Sequence, residues 1–197
     1  MGTDRILKIA TTGAIDVDAL EEAFDEATHA QRVAATRQFD KNIQRTLWEA
    51  AVGRSVPFDQ IVPTEEPLKE VIHVGTNTIP VFREFEKRFC RPPTTNGAEV
   101  AFGYNENWYK FATSPGYYVA EQEENGEFLV DYTRLPDQKP GAWPKIRSNA
   151  YLLGIFVFYG MKDRLRRVSE HVTIGRAYKK KPMNQYFVLV RDDASFS

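Results

Sequence analysis

The chain is expected to fold as an α+β protein, with N-terminal helices packed on a strongly curved antiparallel β-meander or barrel of about six or seven strands. Two observations lead there. Apolar residues recur at three- and four-residue spacing in the first half and alternate with polar residues in the second. Short turn-forming clusters separate the alternating segments, without the helical crossovers that parallel pairing needs. A long meander curls or closes so that its edges are protected. The simplest organisation of 197 residues is a single domain spanning 1–197, mainly helical over 15–91 and antiparallel β over 99–191.

The helical part starts with Val17, Leu20, Phe24 and Ala27 on one stripe, where Asp16 or Asp18 can cap the first turn. Glu21 and Glu22 suit the dipole there. Phe39, Ile43, Leu47 and Ala51 continue the spacing, which Gly53 terminates. Whether these stripes are one bent helix or two is left open. After a loop over 57–67, Leu68, Val71 and Ile72 suggest a short helical piece closed by Gly75. Thr78 then reads as a cap, Pro80 fits a first turn, and Val81, Phe82, Phe85 and Phe89 form a helical stripe ending at Pro92 and Pro93.

Strands follow. Segments 99–104 and 108–112 flank Asn105, Glu106 and Asn107 as a hairpin. A second hairpin joins 116–122 to 127–133 through Glu123, Glu124, Asn125 and Gly126. Residues 135–150 contain Pro136, Pro140, Gly141 and Pro144 without a period, and Trp143 in their middle marks a packed flap. Three further strands are expected at 151–161, 165–178 and 185–191, the last pair turned by Pro182, Met183 and Asn184. The first of these is apolar on both faces, as a central strand covered by a helix would be.

Composition narrows the function. Net charge is -1, which argues against nucleic acid and anionic membranes as whole-chain partners. The single Cys90 excludes an internal disulfide and fits a reducing cytoplasm; ending an apolar stripe, it reads as inert packing. The first residues lack a secretion signal's apolar core, Ile6 breaks an acylation signal, and no apolar run approaches a membrane span. No zinc-ligand spacing, serine-hydrolase elbow or phosphate-binding glycine loop is present, so neither cofactor nor metal is called for.

Candidate chemistry rests on strand parity. On 165–178, Ser169, His171 and Thr173 alternate with Val168, Val172 and Ile174, placing Glu170 on the apolar row. If such rows face one interior, Asp131, Glu170, Arg176 and Arg191 converge there, with Glu170, His171 or Asp131 as acid or base and Arg176 or Arg191 holding an anionic group. The structural alternatives are an ion pair and a half-exposed histidine. The run Lys162, Arg164, Arg166, Arg167, Arg176, Lys179, Lys180 and Lys181 is either an anion site or a solvated hairpin edge. Trp108, Tyr132, Trp143, Phe156 and Phe158 belong to an aromatic set suited to lining a pocket as well as a core.

The expected function is binding of a small or medium apolar or aromatic molecule, which can carry an anionic group, inside the curved sheet. A cofactor-independent cyclase, isomerase or lyase is the first alternative and an interaction module or subunit the second. Homo-oligomerisation is left open.

Overall fold

The computed structural model describes residues 2–79, 83–93, 99–106, 115–149 and 160–196. Among them are α1 (Gly2–Ala10), α2 (Val17–Asp25), α3 (His29–Thr36), α4 (Lys41–Ala50) and the single turn α5 (Phe58–Ile61). The strands are β1 (Val71–Asn77), β2 (Glu84–Cys90), β3 (Val100–Glu106), β4 (Tyr118–Gln122), β5 (Phe128–Asp131), β6 (Lys162–Arg167), β7 (Val172–Lys179) and β8 (Lys181–Asp192). All neighbours pair antiparallel, and β1 pairs with β8, closing an eight-stranded barrel in sequence order. The expected α+β class holds, with one or two more strands than expected. Closure leaves no edge to protect.

Local signals explain the helices. Asp16 caps α2 by accepting from the backbone N–H groups of Asp18 and Ala19, each at 3.1 Å. A capping box of Thr28 and Gln31 starts α3, and Asp40 accepts from Ile43 N at 2.8 Å to start α4. The two stripes of the first half are therefore separate helices, with α3 between them. Gly53, at φ +78°, follows α4. Leu20, Phe24, Phe39 and Leu47 are fully buried against Val172, Ile174, Val188 and Val190 on the outer wall formed by β7 and β8. Each such side chain contributes about 1.5–3 kcal/mol on burial.

Two segments expected to be helical are strands. Residues 71–77 form β1, and the stripe containing Phe85 and Phe89 lies on β2. On β2 the two phenylalanines alternate with Lys87 toward the lumen, and long-range pairing with β1 and β3 overrides the local spacing. The expected strand at 165–178 is also corrected. It is a hairpin: β6 and β7 reverse through 168–171, where the backbone N–H groups of Val168 and Ser169 both donate to Val172 O. The hairpin of 116–122 with 127–133 is present as β4 and β5. Residues 108–112 and nearly all of 151–161 lie outside the described residues.

The lumen is crowded, and glycine makes room for rings. Gly103 stands opposite Tyr118 and Gly175 opposite Phe187. A Cβ on Gly103 would lie 2.3 Å from the Tyr118 ring and 2.4 Å from the Arg88 carbonyl oxygen; one on Gly175 would lie 2.2 Å from the Phe187 ring. Each ring folds over its neighbour's backbone into the barrel. The end at which β1 starts and β8 finishes, called proximal here, is plugged by α5: Ile61 O accepts from His73 Nε2 at 2.9 Å, and Gln60 Nε2 donates to Ser169 O at 2.8 Å.

Gly103→Ala is expected to destabilise the protein by about 1–3 kcal/mol through overpacking, because one clashing atom is backbone. Gly141→Ala, which meets open space, should stay within about 0.5 kcal/mol. Urea denaturation of both variants checks this.

Candidate functional site

The distal half of the lumen contains a charge that the sequence pattern did not single out. Lys87 of β2 is 1% exposed. Its Nζ donates to Asp163 Oδ2 at 3.0 Å, to Asn105 Oδ1 at 3.1 Å and to the Tyr132 hydroxyl. That hydroxyl also accepts from Asn105 Nδ2 and donates to Asp163 Oδ2, both at 3.0 Å. The ammonium's three donors are thus all engaged. Four rings surround it, with centroids at 4.9 Å (Tyr132), 5.0 Å (Tyr118), 5.3 Å (Phe187) and 5.8 Å (Phe85). Rings at these distances attract a cation through their quadrupoles.

Strand register assembles the group. Lys87 and Asn105 are directly paired between β2 and β3; Asp163 is the second residue of β6, and Tyr132 directly follows β5. Burial lowers the Lys87 pKa, opposed by the charge and hydrogen bond of Asp163. Burial, then the Asp163 charge, raises the Tyr132 hydroxyl well above its ordinary value, so it stays protonated. Tyr132 is further held by its backbone. Asn149 Nδ2 donates to Tyr132 O at 2.8 Å and to Tyr117 O at 2.7 Å, tying the flap to the rim beside the site.

The expected convergence of Asp131, Glu170, Arg176 and Arg191 does not occur. Arg191 faces the lumen at the proximal end, where Nη1 donates to Gln60 O at 2.9 Å and Nε to Asp193 Oδ1 at 2.7 Å. Glu170 lies exposed in the β6–β7 turn, 3.6 Å from Arg191, and the row holding Val172 and Ile174 faces the helices instead of the lumen. His171 Nδ1 lies 2.7 Å from Asp193 Oδ2. Glu170, His171 and Arg191 therefore do meet, in a rim cluster with Asp193 and Arg32. Burial, reinforced by Arg32 and Arg191, lowers the His171 pKa despite Asp193.

Asp131 points outward from β5, paired with Lys162 at 2.9 Å and accepting from Thr133 Oγ1 at 2.6 Å. Burial alone would raise its pKa; those hydrogen bonds outweigh it and hold the carboxyl low. Arg176, also on the outer wall, donates to Met183 O at 2.8 Å and lies over Tyr186. Trp143 is buried outside the barrel, 4.9 Å from Tyr104, and its indole N–H donates to Glu70. Of the expected ligand-binding aromatics, Tyr132 alone is seen in the lumen; Trp108, Phe156 and Phe158 lie outside the described residues.

The basic run is largely paired. Arg164 bonds Glu123 at 2.8 Å, Arg166 bonds Glu127 at 2.7 Å, and Arg167 bonds Glu21 at 2.5 Å. Arg166 also stacks on Trp48, 3.7 Å from the ring centroid. Cys90 is buried, and burial pushes its thiol up to about 12, leaving it protonated. No group of three His, Cys, Asp or Glu residues is placed to hold a metal ion among the described residues, and no described helix is long and apolar enough to cross a membrane. Comparison with protein-family models, curated proteins and solved structures gave no match to this chain.

Asp163→Asn leaves an ammonium buried without its counter-ion and is expected to cost about 3–5 kcal/mol in urea denaturation, whereas Lys87→Met combined with Asp163→Leu should cost less than that single change. Stability should also depend on pH through His73, whose burial lowers its pKa from 6.5 to about 4. As pH falls below 6.5 the unfolded chain binds a proton that the folded chain refuses until about pH 4. Stability then drops through that window by up to about 3 kcal/mol. Unfolding curves at pH 7.5 and 4.5 should show the loss, and His73→Gln should shrink it.

Proposed function

We propose that the barrel binds a small or medium apolar or aromatic molecule in its distal half, oriented by the polar group at Lys87. The observation that carries this reading is the ammonium enclosed by four aromatic rings. Closed eight-stranded barrels have an interior that side chains fill or that holds one small ligand. A binding site of this kind combines apolar walls with a few convergent polar groups. Here the walls are Phe85, Tyr118, Tyr132 and Phe187, and the polar groups are Lys87, Asp163 and Asn105. Deeper in the lumen, Thr173 Oγ1 and, on the plug, Gln60 Oε1 are buried with no hydrogen-bond partner among the described residues. Buried oxygens of this kind suit a polar ligand atom or a bridging water.

The catalytic alternative is favoured by one feature: Lys87, Asp163 and Tyr132 lie within mutual hydrogen-bond reach, so a ligand atom touching one can exchange a proton with another. A docking module is less well supported. Val52 and Leu135 are the exposed large hydrophobic residues among those described, and they do not supply an apolar face.

Native mass spectrometry of the purified chain should reveal a retained small molecule. Anilinonaphthalene sulfonate, an apolar aromatic anion, should bind at one site per chain, about tenfold more weakly after Lys87→Met, a loss of about 1.4 kcal/mol. Circular dichroism verifies that the variant is folded. Absence of both a retained molecule and saturable dye binding would overturn the proposal.

A further inference from the structure

We infer that Lys87 forms a reversible imine with an apolar or aromatic aldehyde or ketone held in the distal lumen. This deepens the ligand-binding reading and rests on it. Three features of the lumen carry it. The amine lies in a water-poor enclosure, where the hydrolysis that destroys exposed imines is suppressed. Asp163 accepts from that nitrogen as a carboxylate that can take its proton, and Tyr132 accepts from it while donating its own hydroxyl proton to the same carboxylate. The flanking rings of Phe85, Tyr118 and Phe187 are apolar walls suited to the carbonyl compound's hydrocarbon part.

The step balances without an oxidant or reductant. Lys87 passes one proton to Asp163, and the freed lone pair adds to the carbonyl carbon as the C=O π pair moves to oxygen. That oxygen takes the proton from Asp163 to give a carbinolamine, which restores the carboxylate. The nitrogen gives up a second proton through the same carboxylate, the C–O bond breaks with protonation of the leaving hydroxyl, and water departs. The net change converts an ammonium and a carbonyl into a protonated imine and water, so total charge is unchanged. Asp163 ends as the carboxylate beside a cationic nitrogen, the role it has with the ammonium. A lysine desolvated among apolar groups is well suited to this chemistry.

The test treats the full chain with low concentrations of benzaldehyde or decanal and sodium cyanoborohydride, which turns an imine into a stable secondary amine, and then maps the modified lysines by peptide mass spectrometry. Exposed Lys180 and Lys181 serve as internal references. Lys87 should be labelled about tenfold faster than either, because the bound carbonyl compound is held beside the amine. Lys87→Arg, which keeps the cation but cannot form the imine, should lose the fast adduct. Because the mapping is done on the unaltered protein, a poorly folded variant does not decide the outcome. Labelling confined to exposed lysines, with dye binding intact, overturns the covalent step and leaves the binding reading standing. Loss of both dye binding and Lys87 labelling overturns both.

Discussion

An ammonium sealed inside a closed barrel must keep its counter-ion, and the distal half of this structure is arranged around that requirement. Removing a lysine from water costs several kcal/mol, an expense met only when each of its protons finds an acceptor. Lys87 meets three, from β3, from the residue after β5 and from β6, contributed by segments 18, 45 and 76 residues away. If any of these strands slipped by one residue, its contributing side chain would be carried to the outside of the wall. The network therefore couples register across half the barrel to the satisfaction of one charge, and the rings around it exclude the water that would weaken that coupling.

The proximal half answers a different demand. There β7 and β8 are buried on both faces, by the lumen on one side and by α1 to α4 on the other, and β8 is buried without interruption from Tyr186 to Arg191. The plug α5 contributes backbone carbonyls to His73 and Arg191, so those two side chains are held in part by main chain where the distal group relies on side chains. Glu170, His171, Arg191, Asp193 and Arg32 then knit the rim to the helical layer. Partial exposure makes these rim pairs worth less individually than the buried one, and their arrangement serves positioning more than stability.

The two halves place rigidity and chemistry differently. Helix packing and the plug stiffen one end, while Lys87, Asp163 and Tyr132 cluster toward the end at which β5 finishes and β6 begins. The flap segment containing Trp143 covers the outside of the wall near β3 and touches the rim through Asn149, so the strand end carrying Tyr132 is braced from outside as well as from within. Such bracing holds a polar group in fixed geometry, which both binding and proton transfer need.

Much of the fold was legible without coordinates. The α+β class, the stripe of Leu20 and Phe24, the Asp16 cap and the β4–β5 hairpin all follow from contacts between residues close in the chain, and periodicity and caps record such contacts directly. The β2 segment misled because Phe82, Phe85 and Phe89 fit a helical spacing, while the period-two set Phe85, Lys87, Phe89 fits a lumen-facing strand equally well. Both of its phenylalanines are shared by the two patterns, and only Lys87 between them distinguishes the strand. Glu170 misled in the opposite way, through a hairpin taken for one long strand. In the candidate site, Tyr132 was anticipated, but Lys87, Asn105 and Asp163 were not, since their proximity depends on barrel closure and on the register of strands far apart in sequence. Patterning along the chain determined which segments had a buried side; only the closed tertiary pairing decided which side faced the lumen, because inside and outside do not exist until the first strand meets the last.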